Sequence, residues 1–221
     1  MTTGTAAMFV RPGFLKLELR GGIGGPDAMG TAIYYEDVRK ELVAAWRAEW
    51  LMVLVNSNGG SVAESDKLFS VIRAHPAKQK VAIVEVAASA AVKVVLACPK
   101  RWARHNAELM IHQIQIAPPK RWTADRHAET AARLKRSDTM LAAFYAQRTG
   151  KKDANWFLRR MRAETIMSPY DAMECGLIHR VLPAPAKPAA AEPLTYTPEG
   201  QQPRQIFYVT RDMVAPGAGS W

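Results

Sequence analysis

The chain has 221 residues, 48% hydrophobic and 23% charged, the balance of a soluble globular protein with room for one full α/β core rather than two. Two cysteines, Cys98 and Cys175, lack metal-ligand spacing, which argues against a disulfide scaffold or a zinc module and predicts reduced core thiols in a cytoplasmic protein. The net charge of +10 supplies phosphate affinity in principle. No stacking pattern or nucleic-acid motif accompanies it, so the basic residues read as a solvated surface rather than a nucleic-acid platform.

The amino terminus, MTTGTAAMFVRPG, lacks the basic start and long apolar core of a signal peptide. Phe14–Leu19 alternates and predicts a first strand, closed by the glycine-rich stretch Arg20–Gly25, whose spacing fits a backbone turn and not a phosphate loop. Thr31–Trp50 repeats apolar residues at three and four positions, which predicts a helix. Leu51–Val55 is a continuous apolar run suited to a strand buried on both faces, and it ends in the tight turn Asn56-Ser57-Asn58-Gly59-Gly60-Ser61. Val62–Ala74 reads as a helix, and Lys80–Val86 as a strand that leads to Ser89 and a helix running to about Cys98. Glu85, Ser89 and Lys93 interrupt that apolar stretch, so it is not a membrane span and no membrane partner is expected.

Leu109–Ile111 predicts a short strand with His112 at its carboxyl end, followed by a loop, Gln113–Trp122. Thr123–Thr149 is one long, mostly polar helix with Gly150 as its C-cap. Asn155–Arg162 and Pro169–Cys175 are further helices, and Leu177–Leu182 is a closing strand. The alternation of strands and helices predicts an α/β domain with parallel pairing and right-handed crossovers over residues 1–182. Residues 183–221 are rich in proline and alanine and predict an extended tail, with Gln205–Val209 as a strand or docking peptide.

In open α/β sheets, reactive groups gather beyond the carboxyl ends of the strands. Three such ends carry distinctive residues here: Gly59-Gly60, Ser89 and His112. A serine hydroxyl needs a base to become a nucleophile, and a neutral histidine is the usual one. A glycine turn presents backbone N–H groups to a developing oxyanion, and a carboxylate orients the histidine.

VNSNGGSV, AASAA, MIHQ and SPYDAMECGLIHRV, in this order and spacing, resemble the glycine turn, nucleophile site, histidine strand and domain end of the Clp-type proteolytic subunits. These form one branch of the Clp/crotonase fold, and the resemblance spans Leu17–Leu182. AASAA in place of AASMG is closer to the phage and prophage Clp-like proteases of head maturation. The resemblance implies an α/β Clp/crotonase-type fold with parallel sheet and a protruding handle helix, here Thr123–Thr149. It implies a serine endopeptidase with no cofactor and no metal. Ser89 would be the nucleophile, His112 the base, Gly60 and Ala90 the oxyanion-hole donors, and Glu164 the third member where the family usually has aspartate.

It further implies a homo-oligomeric ring acting on protein or peptide substrates. The substrates would be delivered by a separate AAA+ ATPase unfoldase, as in the ATP-dependent members, or would be phage capsid or scaffold proteins. Asn58, Glu85, Val86 and Ile114 depart from the family's usual residues around these motifs.

Three rival readings use the same residues. Lys93 lies one helical turn after Ser89, the placement of a Ser–Lys dyad. An inactive Clp-fold scaffold or adaptor would bind a partner through the basic surface and the tail. A crotonase-type acyl-CoA enzyme would use the glycine turn but has no need of the Ser89–His112 pair.

Overall fold

The computed structural model describes residues 2–117 and 121–184; most of the 183–221 tail, including Gln205–Val209, lies outside the described residues. In chain order the elements are β1 (Thr2–Thr3), β2 (Thr5–Arg11), β3 (Phe14–Arg20), β4 (Gly22–Ile23), β5 (Thr31–Ile33), α1 (Tyr35–Ala44), β6 (Trp50–Ser57), α2 (Val62–Ala74), β7 (Gln79–Ala88) and α3 (Ala90–Val95). They continue with β8 (Lys100–Ile111), α4 (Ala124–Thr149), α5 (Ala154–Arg162), β9 (Thr165–Met167), α6 (Pro169–Glu174) and β10 (Arg180–Leu182).

The main sheet has the order β10-β8-β7-β6-β3-β2, with β9 added against β8. Its centre is parallel, from β3 through β6 and β7 to β8 and β10, whereas β2 and β9 pair antiparallel. Leu17, Val53, Ala82, Val84 and Leu109 on these strands are fully buried, as strands covered on both faces require. Helix α3 is buried nearly all round, because its small and β-branched residues leave no polar face apart from Lys93. A second, small sheet joins β1, β5 and β4.

Several elements differ from the sequence expectation. Thr31–Ile33 is a strand and not the start of a helix, because it is held between Gly22–Ile23 and Thr2–Thr3. The following helix is shorter than its periodicity suggests. It stops at Ala44, and Trp50 enters β6, where its ring stacks on Phe14 at 6.2 Å.

The short strand at Leu109–Ile111 is the end of a much longer one, Lys100–Ile111. Its first half is too charged to read as a strand, and the structure satisfies those charges individually. The buried Arg101 donates to the carbonyls of Cys98, Gly176 and Leu177, and Arg104 donates to Glu85.

Strand β7 carries the feature that matters most for the site. Its register shifts at Glu85 against both neighbours: Val84 and Val86 are paired with Val55 and Asn56 on β6, and with Ala103 and Glu108 on β8. A bulge re-aims the chain beyond it. Glu85 faces outward and accepts from Arg20 Nη1 at 2.8 Å, Asn56 Nδ2 at 3.1 Å and Arg104 Nε at 3.1 Å. Burial raises its pKa, and the bonds from Arg20, Asn56 and Arg104 outweigh that, so the carboxyl lies below its ordinary value.

Candidate active site

Ser89 sits between the last residue of β7 and the first of α3, with φ 56 and ψ −123. A side-chain-bearing residue in this region costs about 1–3 kcal/mol and persists only where its surroundings over-determine it. Here Ser89 N–H donates to Met110 O at 2.8 Å, and Ser89 O accepts from Val92 N–H at 3.1 Å. The strained turn swings the hydroxyl away from the helix and toward the end of β8.

At that end stands His112. Its Nε2 is 2.7 Å from Ser89 Oγ, a full hydrogen-bond contact. The other ring nitrogen, Nδ1, is buried and has no hydrogen-bond partner among the described residues.

The glycine turn closes the site from the opposite side. Gly59 has φ 93, and a Cβ there would lie 2.6 Å from Ala88 O and 2.7 Å from Ser89 Cβ. Only glycine allows the two turns to approach this closely. Gly60 is held by a parallel bridge to Ile23. Ile23 N–H donates to Gly59 O, and Ser61 N–H donates back to Ile23 O, each at 2.8 Å. The glycine-rich stretch near residue 22 therefore serves as a backbone brace for the second glycine turn.

The N–H groups around the turn are unequally committed. Gly59 N–H donates to Ser57 Oγ at 3.1 Å, and Ser61 N–H is used on Ile23. Gly60 N–H has no acceptor among the described residues. Ala90, as the first residue of α3, has an N–H that no carbonyl of its own helix can meet.

The cleft beside Ser89 has a volume of ≈ 220 Å³ and is lined by Gly60, Val62, Ser89, His112, Leu141 and Tyr145, among others. Burial raises the Tyr145 phenol above its ordinary pKa, which keeps it neutral.

Glu164 is not joined to this pair by a hydrogen bond. It is exposed, has φ 47, and accepts from Gln115 Nε2 at 3.2 Å. The nearby Asp171 is engaged elsewhere, closing a capping box with Ser168 at the start of α6. Hydrogen bonds from the Ser168 side chain and backbone hold its carboxyl below the ordinary value.

Lys93 lines the same cleft but is engaged elsewhere, ion-paired with Asp66, its ammonium 5.1 Å from the centre of the Phe144 ring. Both cysteines are free and buried. Burial pushes the Cys98 thiol up to about 12, so it is no nucleophile at neutral pH. Among the described residues no cluster of His, Cys, Asp and Glu is arranged to hold a metal ion, and no helix is long and apolar enough to cross a membrane.

Two contributors went unnoticed in the sequence. Gln115 is the partner of Glu164, and nothing in a proline-bearing loop singles it out. Asp138 is buried on α4 and bonds the loop just after His112. Its signal was available: an aspartate between Leu134 and Leu141 interrupts the apolar stripe of the helix.

Comparison with known proteins bears on the family and the fold. The family model described as Clp protease matches residues 34–185. Among solved structures, an asparagine-to-aspartate mutant of ClpP1 from Listeria monocytogenes superposes with a TM-score of 0.62 at 20% identity, covering 76% of this chain and 91% of that one. At that identity the likeness shows the fold alone. A search of curated proteins finds no significant match.

Proposed function

The chain belongs to the Clp protease family, and on that premise we propose that it is a serine endopeptidase with Ser89 as nucleophile and His112 as general base. The observation that carries this reading is the 2.7 Å contact between Ser89 Oγ and His112 Nε2, made from a backbone turn that exists only under strain. The Ser89 proton passes to His112 Nε2 as Oγ attacks the peptide carbonyl. The N–H groups of Gly60 and Ala90 receive the oxyanion, where each such donor is worth about 10²–10³-fold in rate. His112 then protonates the leaving amine, and water activated by the same nitrogen releases the acyl group from Ser89.

Glu164 is the proposed third member. Its chain reaches the site from a positive-φ corner, and His112 Nδ1 is the buried nitrogen that still needs an acceptor. In this role Glu164 would exchange its bond from Gln115 for one from His112 Nδ1. A homo-oligomeric ring acting on protein or peptide chains completes the reading. The sequence holds no nucleotide-binding motif, so ATP-dependent delivery would come from a separate unfoldase. A capsid-maturation role would need none.

Labelling with a fluorophosphonate probe tests the proposal. Wild type is expected to label at one site, and Ser89→Ala and His112→Ala to lose it. A folded, oligomeric wild type that does not label overturns the reading in favour of a non-catalytic scaffold.

A further inference from the structure

The long helix α4 is solvent-facing along most of its first half, yet one of its charged residues is withdrawn from water. Asp138 is 3% exposed. It forms no ion pair among the described residues. A carboxylate buried without a cation is costly unless its lone pairs are met by hydrogen bonds. They are met by two neutral donors, Gln113 Nε2 to Oδ2 and Ile114 N–H to Oδ1, each at 2.8 Å.

Both donors belong to the two residues that follow His112. From Gln113 to Ala117 the chain has no regular secondary structure, and Gln113, Ile114 and Gln115 line the cleft beside Ser89. Strand β8 ends at Ile111, so the sheet ladder does not hold this segment. Asp138 supplies the missing restraint from across the cleft. Its place on α4 is itself fixed by Ala142 and Tyr145, the buried residues one and two turns on.

We propose that Asp138 is a positioning residue for the base: by holding Gln113 and Ile114 it fixes the carboxyl-side exit of His112 and thereby the distance from Nε2 to Ser89 Oγ. This inference rests on the reading of Ser89 and His112 as nucleophile and base. It assigns the handle helix a role inside the site of its own chain. Asp138 acts through the loop backbone and does not itself touch the reacting atoms. A bidentate anchor has a distinctive signature, because its function depends on accepting two hydrogen bonds and not on negative charge. Asparagine keeps an acceptor for Ile114 N–H, and the Gln113 amide can turn its carbonyl toward the new N–H₂ group. Alanine leaves both donors unmet.

The experiment compares the full-length wild type, Asp138→Asn and Asp138→Ala. It measures the rate of fluorophosphonate labelling, kcat and KM on a peptide substrate, and hydrogen exchange of the 113–117 segment. Asp138→Ala is expected to label about tenfold to a hundredfold more slowly, the range for an ångström-scale misplacement. The loss should lie in kcat with KM little changed, and exchange of the segment should accelerate. Asp138→Asn is expected within about threefold of wild type in every readout, since the bonds survive the loss of charge.

Equal loss in both variants, or a folded Asp138→Ala that labels at the wild-type rate, overturns the proposal. Should Asp138→Ala fail to fold, Gln113→Met removes one of the two bonds. It is then expected to slow labelling by about threefold to tenfold, and an unchanged rate overturns the proposal. If wild type does not label at all, the serine reading and the positioning role fall together, and the exchange data then report a structural anchor only.

Discussion

The two sides of the candidate site are built by different means. On the nucleophile side almost everything is backbone: the strained turn at Ser89, the bond from its N–H to Met110 O, and Gly59 lying where no Cβ fits. On the acid side the decisive group is the end of a long, exposed side chain. Glu164 points to Gln115 while His112 Nδ1 lies buried without a partner among the described residues. Backbone bonds within β7, β8 and the glycine turns hold the first side in any environment of the chain. The side chain of an exposed glutamate has no such backbone restraint. The difference teaches that the backbone fixes the Ser89 turn and the glycine turn within this chain, whereas the orientation of Glu164 rests on a single side-chain hydrogen bond.

The largest effects should come from the backbone side and its base. His112→Ala is expected to slow peptide hydrolysis by about 10²–10⁴-fold, the range for a positioned base, as read by steady-state kinetics on an oligomeric sample. Gly59→Ala should follow closely, since its methyl group would meet Ala88 O at 2.6 Å and its φ of 93 is strained for any side chain. A stability loss of about 1–3 kcal/mol and labelling reduced by about a hundredfold are expected. Wild-type labelling in that variant would break the claim that the two turns are mutually fitted.

Glu164→Gln probes the other side. Its expected loss is about tenfold, well below that of His112→Ala, because in the proposed role a neutral amide oxygen would accept from Nδ1 as the carboxylate would. A loss equal to that of His112→Ala would show the acid as firmly held as the serine, and no loss would remove Glu164 from the mechanism. Lys93→Met should change labelling by less than about threefold, because Lys93 is spent on Asp66 and the Phe144 ring. A loss matching Ser89→Ala would restore the Ser–Lys dyad.

A further expected effect is on stability and not on rate. Glu85 has a lowered pKa in the fold, so its contribution is present above the ordinary carboxyl value near 4.5 and disappears as pH falls through the lower folded value. Glu85→Gln should therefore cost about 1–2 kcal/mol at pH 7 and less at pH 3 in denaturant titrations. A deficit of the same size at both values would mean that packing at the bulge, and not charge, is what the residue supplies.

Local patterns in the sequence determined a good deal. The strand at Phe14, helix α2 from Val62 to Ala74, the long helix capped by Gly150, and the placing of Ser89 and His112 at strand ends were all legible. Each depends on periodicity or on a turn residue, and both are properties of adjacent positions. The family motif added the order of glycine turn, serine and histidine.

Only the tertiary structure decided the rest. Thr31–Ile33 became a strand because two distant segments flank it, and the charged half of β8 became a strand because Arg101 and Arg104 found acceptors far away in sequence. The same holds for the direction of Lys93, the contact between Gln115 and Glu164, and the burial of Asp138 against the loop after His112. Hydrogen bonds and ion pairs between remote positions leave no period in the chain, and the low-dielectric interior in which they count exists only once the sheet and helices have packed.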